Sequence, residues 1–191
     1  MNNIQPSPFT LPLDRIYNVI KTECGICEAY MPVIVSKSPH PKMAKYVGLW
    51  DTGATSSVIT RKVIEELNLK PTGRAKVSNT SGCRIESTYK INILLPNQVC
   101  VSFLDVSEGI LVEEDVLIGM DVICQGDFAI SNSNGKTKFT FQIPATHDID
   151  FVQEHTDMYN TPDKVENHPG QDGLCPCESG KKYKDCHGKG L

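Results

Sequence analysis

Leu49-Trp50-Asp51-Thr52-Gly53-Ala54-Thr55 is the stretch on which the reading of this 191-residue chain turns. An apolar run from Tyr46 to Trp50 stops at an acid, a small hydroxyl residue and a glycine. The run reads as a buried strand. Its stop places Asp51 at the strand end, with Gly53 free to take backbone geometry that other residues resist. Strand ends feeding tight loops are where a rigid scaffold presents a reactive group. A plain surface turn would also use Asp and Gly, for local hydrogen bonds and a positive φ. Two features weigh against the turn: Trp50 adjoins the acid, and Ser57-Val58-Ile59-Thr60 resumes a β-branched run. Asp51 is the candidate reactive carboxylate.

Working outward, residues 29–35 and 44–50 read as strands joined by a polar loop with Pro39, His40 and Pro41. Downstream, Val63, Ile64 and Leu67 fall at helical spacing, with Thr60 as N-cap and Pro71-Thr72-Gly73 as the stop. Residues 74–78 and 83–95 look like two arms of a hairpin around Asn79-Thr80-Ser81-Gly82. In the second arm Ile85, Tyr89, Ile91, Ile93 and Leu95 share one parity, and Arg84, Glu86, Thr88, Lys90 and Asn92 the other. That is the strand period, with one face buried and one wet. Residues 99–106 form another strand, and Val116-Leu117-Ile118-Gly119-Met120-Asp121 is an apolar triplet ending in glycine. Gly119 suits a close backbone approach. Asn134-Gly135 is a strong hairpin signal, flanked by residues 127–133 and 136–143. Thr137, Phe139, Phe141 and Ile143 share one face of that second arm.

Asp51-Thr52-Gly53-Ala54, followed at a family-like distance by Val116-Leu117-Ile118-Gly119, resembles the aspartic peptidases of the retropepsin-like type. The resemblance covers roughly residues 30 to 143. It implies a mainly β fold: a closed β-sheet or barrel half-domain with one or two short helices. It implies catalytic roles for Asp51, Thr52 and Gly53, and substrate contacts from Ala54 and from a flap at Asn79, Thr80, Ser81 and Gly82. Such enzymes need two carboxylates sharing a proton, because two like charges a few ångströms apart cannot both persist. This chain has a single Asp-Thr-Gly, so the resemblance implies a homodimer that brings Asp51 to its copy across a two-fold axis. Thr52 would brace the two loops. Ala54 offers no hydroxyl to stabilise the ionised form, which predicts activity nearer neutral pH than in gastric enzymes.

A net charge of −4 gives no bulk signal for nucleic acid, making a nucleic-acid partner unlikely. No run of about 18 apolar residues suggests a membrane span, and no basic then apolar N-terminal segment suggests secretion. Five of the eight cysteines fall in two close-spaced groups, which fits a reducing cytoplasm better than a disulfide framework. Cys24-Gly25-Ile26-Cys27 has no second pair nearby and reads as buried free thiols. Pro6, Pro8 and Pro12 make residues 1–28 an N-terminal leader, ahead of a protease-like domain at 29–144. Residues 145–171 are acid-rich and aperiodic, and read as a linker spanning about 25 to 30 Å as a coil. Phe151, Met158 and Tyr159 there are candidates for docking.

In the tail, Cys175-Pro176-Cys177 and Cys186-His187 bring four metal ligands into thirteen positions, with only Leu174 and Tyr183 as apolar material. Such a segment needs another source of folding free energy. Zinc held by Cys175, Cys177, Cys186 and His187 supplies it as a closed, structural site, with Lys181, Lys182 and Lys184 offsetting the thiolate charge. Residues 172–191 closely resemble the SEC-C zinc motif found at the end of the bacterial translocase motor. That resemblance implies docking to a protein partner, a chaperone or the ribosome. Glu178 stands where the motif usually has glycine, a departure that costs about 1 kcal/mol if the position needs a positive φ. Two other readings stand beside a peptidase: a dimeric peptide-binding adaptor that no longer cuts, and a tail-led adaptor with the β domain as scaffold.

Overall fold

Alternating burial dominates up to residue 143, and the chain answers it with strands. The computed structural model describes residues 5–29, 43–79, 82–159, 172–175 and 177–189. Its strands are β1 (Ser7–Pro12), β2 (Ile20–Glu28), β3 (Ala44–Trp50), β4 (Val58–Thr60), β5 (Gly73–Asn79), β6 (Gly82–Leu94), β7 (Cys100–Gly109), β8 (Val116–Ile118), β9 (Asp127–Ser131) and β10 (Lys138–Ile143). Helices α1 (Arg61–Glu66), α2 (Met120–Ile123) and α3 (Phe151–Tyr159) are short. The protein is mainly β, as expected. By its contacts the chain divides into residues 1–147 and 148–191.

Seven strands of the first unit form one sheet in the order β2-β3-β8-β4-β7-β6-β5. β2 also pairs with β6, which closes six strands into a ring and leaves β5 attached to β6 alone. Closure removes edges that would otherwise invite foreign strands. Ile26, Ile59, Ile91, Ile93, Val116 and Ile118 fill the interior with no exposed surface. β3 and β8 are parallel neighbours with Trp50 opposite Ile118, so residues 51 and 119 leave the sheet side by side. That juxtaposition positions the candidate site.

A second sheet, β1-β10-β9, lies in the part of the chain expected to hold a leader and a closing hairpin. Residues 7–12 and 20–28 are strands rather than leader. β1 tolerates Pro8 and Pro12 because it is an edge strand, pairing only with β10. Its Phe9 joins Phe128, Phe139 and Phe141 around Trp50, with ring centroids 4.8 to 6.2 Å from the indole.

Other expectations are met or corrected locally. β9 and β10 pair across a turn in which Asn134 and Gly135 both have positive φ, as that dipeptide allows. α1 buries Val63 and Ile64 but ends before Pro71, because Asn68 at φ 51° turns the chain out of the helix. Thr60 holds the N-cap position without a capping bond, and its Oγ1 is buried with no partner. Asn92 is on the parity expected to be wet, yet it is buried. Its amide donates to the Glu28 and Ala29 carbonyls, and its Oδ1 accepts from the Phe103 N–H. Within the expected linker, residues 151–159 form α3, started by Asp150 Oδ1 accepting from the N–H groups of Val152 and Gln153. The remainder of the expected strand 29–35 and the loop with His40 lie outside the described residues.

Candidate active site and metal centre

Asp51 is half-buried where β3 ends. Its N–H donates to the Ile118 carbonyl (2.9 Å), extending the β3–β8 pairing by one bond. Its Oδ1 accepts from the Gly53 N–H at 2.8 Å, leaving Oδ2 outside that bond. A Cβ on Gly53 would lie 3.1 Å from Asp51 Oδ1. Gly53 does not use a positive φ, so its role is room for the carboxylate rather than the backbone freedom expected. Thr52 is exposed and Ala54 half-buried.

The loop is fastened from below. The Ala54 carbonyl accepts from the Met120 N–H at 2.8 Å. A Cβ on Gly119 would sit 2.7 Å from the Ser56 carbonyl carbon and 3.0 Å from the Ala54 oxygen, so only glycine fits this backbone approach. Ser57 and Asp121 complete the fastening. The Ser57 N–H and hydroxyl donate to the two carboxylate oxygens of Asp121 (2.8 and 2.7 Å), and Ser57 Oγ accepts from the Gly119 N–H at 3.0 Å. Trp50 is fixed by its Nε1–H donating to Thr22 Oγ1 at 2.9 Å in the interior. The sequence reading missed Ser57, Asp121 and Thr22 as supports, because nothing local marks partners 28 to 64 residues apart.

Of the expected substrate-contacting hairpin, Asn79 and Gly82 pair at the tip of β5 and β6, with Gly82 at φ 124°. Thr80 and Ser81 lie outside the described residues. Among the described residues no hydrogen bond joins this tip to the Asp51 loop. Cys24 and Cys27 are buried free thiols, as expected. Burial pushes the Cys24 thiol up to about 12 and raises Cys27 as well, which leaves both unreactive at neutral pH.

In the second unit, the ligand atoms of Cys175, Cys177, Cys186 and His187 all lie within 4.8 Å of one another. Cys177 Sγ is 3.4 Å from Cys175 Sγ and 3.5 Å from Cys186 Sγ. His187 Nδ1 is 3.1 Å from Cys175 Sγ and 3.4 Å from Cys186 Sγ. A tetrahedral ion with metal–sulfur bonds of about 2.3 Å needs neighbouring sulfurs about 3.8 Å apart, so the four groups fit a metal ion. The Cys177 N–H, more than any other contact, lowers the Cys175 thiol to about 7. The Ser179 hydroxyl, 3.1 Å from Cys177 Sγ, is the main cause lowering the Cys177 thiol. Both shifts favour the thiolate that a metal requires. Glu178 sits between these residues at φ 58°, the left-handed geometry that glycine would hold without strain.

Residues 174–189 match the SEC-C motif. The protein translocase subunit SecA of Vesicomyosocius okutanii is 47% identical over 58 residues, 30% of this chain and 6% of that protein. SecA of Parabacteroides distasonis is 57% identical over 30 residues, 16% of this chain and 3% of its own length. The chain thus spans only a small fraction of the curated relatives it matches. Among solved structures, a retropepsin-like aspartic protease from Rickettsia conorii is similar at 11% identity, covering 75% of this chain and 98% of its own, with a TM-score of 0.45. The retroviral protease-like domain of Ddi1 from Leishmania major is similar at 15% identity, covering 65% and 95%, with a TM-score of 0.39. Among the described residues, no helix is long and apolar enough to cross a membrane.

Proposed function

We propose that this protein is a homodimeric aspartic endopeptidase of the retropepsin-like type, working in the cytoplasm and carrying a structural zinc knuckle for docking to a protein partner. The observation that carries the reading is the strand-end carboxylate of Asp51, taking the Gly53 N–H at 2.8 Å on a loop held by Gly119 and the Ser57–Asp121 pair. A group held this rigidly suits chemistry that depends on placement.

Two copies meet at a two-fold axis, and the two Asp51 carboxyls share one proton. The ionised one takes a proton from a water between them as the water oxygen bonds to the scissile carbonyl carbon. The protonated one gives its proton to the carbonyl oxygen. The resulting tetrahedral diol collapses: a proton passes to the amide nitrogen, the C–N bond breaks, and a carboxylic acid and an amine leave. The dyad returns to its shared-proton state. Thr52 braces the paired loops. The hairpin with Asn79, Thr80, Ser81 and Gly82 closes over an extended substrate held by strand-like backbone bonds. Cys175, Cys177, Cys186 and His187 would hold zinc, which supplies folding free energy to the knuckle and takes no part in cleavage.

Incubating the zinc-loaded protein with a peptide library, beside an Asp51→Asn variant, tests this reading, with the solution molar mass of both recorded. Cleavage by the wild type as a dimer, lost in the variant and with an optimum well above about pH 4, is the expected result. A strict monomer that cuts would refute the shared dyad. A dimer that binds peptides and cuts none would establish the adaptor instead.

A further inference from the structure

We propose that the arm formed by β5 and β6 selects peptides with acidic side chains. The inference rests on the endopeptidase reading and adds its substrate class.

β6 pairs with β7 only from Thr88 onward, so its earlier residues, with β5, form a two-stranded arm reaching past the barrel. Tyr89, Ile91 and Ile93 of β6 point into the core. Because side chains alternate, the same face continues outward through Ser87, Ile85 and Cys83. The register sets Arg74 opposite Ser87 and Lys76 opposite Ile85, on that same face. The face that looks inward at the barrel therefore becomes, on the arm, two cations beside one isoleucine, with no acid among them. Ile85 is 73% exposed, and neither Arg74 nor Lys76 has an ion pair among the described residues. The arm's only acid, Glu86, is on the opposite face with Arg84.

Two like charges left unpaired beside an exposed apolar side chain form a surface suited to an anionic, partly apolar strand. An extended peptide laid against it presents alternate side chains to the arm. A carboxylate would meet Lys76 or Arg74, and an apolar neighbour would cover Ile85. Exposed ion pairs are individually weak, so the discrimination expected is about fivefold.

Two degenerate peptide pools of equal apolar content, one doped with Glu and the other with Lys, are digested by the full-length, zinc-loaded protein and read by mass spectrometry. Faster cleavage of the Glu pool is expected, by about fivefold at low salt and less at high salt. The Arg74→Glu/Lys76→Glu variant should abolish or reverse the preference, while Arg84→Glu on the other face should leave it. Equal rates on the two pools, or a preference unchanged in the double variant, would overturn the proposal. If neither pool is cut, the endopeptidase reading fails separately. Fluorescence anisotropy of the labelled pools with the same protein then decides the substrate class: tighter binding of the Glu pool upholds it, and equal or absent binding overturns it.

Discussion

Residues 5–147 and residues 172–189 hold their shapes by opposite means. The first group closes a ring of strands around aliphatic side chains and stacks four phenylalanines on Trp50. The second buries Cys175, leaves Leu174 71% exposed and gathers four potential metal-ligating atoms within 4.8 Å of one another. In the first, an error in shape is costly. In the second, only the loss of a ligand is.

On the zinc reading proposed above, removing the metal is the most severe way to break that contrast. A strong chelator should unfold residues 172–189 completely, because binding free energies on the order of 10 kcal/mol are folding free energies in such modules. Amide resonances of the knuckle should collapse while those of β2 to β8 stay put; a first unit that melted as well would show that the two depend on each other. Next in size, Gly119→Ala drives a methyl into the Ser56 and Ala54 backbone and should cost about 3 kcal/mol of the first unit's stability in denaturant titrations. The knuckle's metal affinity should not change. The converse test, Glu178→Gly, relieves a positive φ and should tighten metal binding by about 1 kcal/mol, some fivefold in a chelator competition, without moving the first unit's melting.

The smallest effect concerns a polar knot in the burial-held unit. Asp127 accepts from the N–H groups of Thr146 and His147, the His147 ring and the Gln142 amide. These bonds, the Thr146 N–H first, hold its carboxyl down to about 2. A carboxyl depressed in the folded state stabilises above its unfolded value near 4, and that contribution disappears as pH falls through about 2. Asp127→Asn should therefore flatten the decline of melting temperature between about pH 4 and 2, and leave the neutral-pH slope alone.

Much of this was legible from residue order. The acid at the end of an apolar run, the glycine after Val116-Leu117-Ile118, the parity of residues 85–95 and the spacing of Cys175, Cys177, Cys186 and His187 are all local signals. Each is enforced by backbone geometry within a few positions. Most of what escaped depends on distance along the chain. Ser57 and Asp121 meet only because β4 runs antiparallel to β8 with Val58 opposite Leu117, which sets the residue before β4 beside the residues that follow β8. Phe9 reaches Trp50 through a strand whose prolines disguise it, and they are harmless only at an edge. Asn92 follows the outward parity but is drawn inside, where two carbonyls and an N–H satisfy its amide. The helix at 151–159 lies in acid-rich sequence whose composition argued for coil.

The tryptophan beside Asp51 gathers Phe9 from near the start of the unit and Phe139 and Phe141 from near its close. A chain made from its N-terminus therefore carries Asp51 long before the aromatic wall behind Trp50 exists. The packing around this strand end is complete only once β10 has been made.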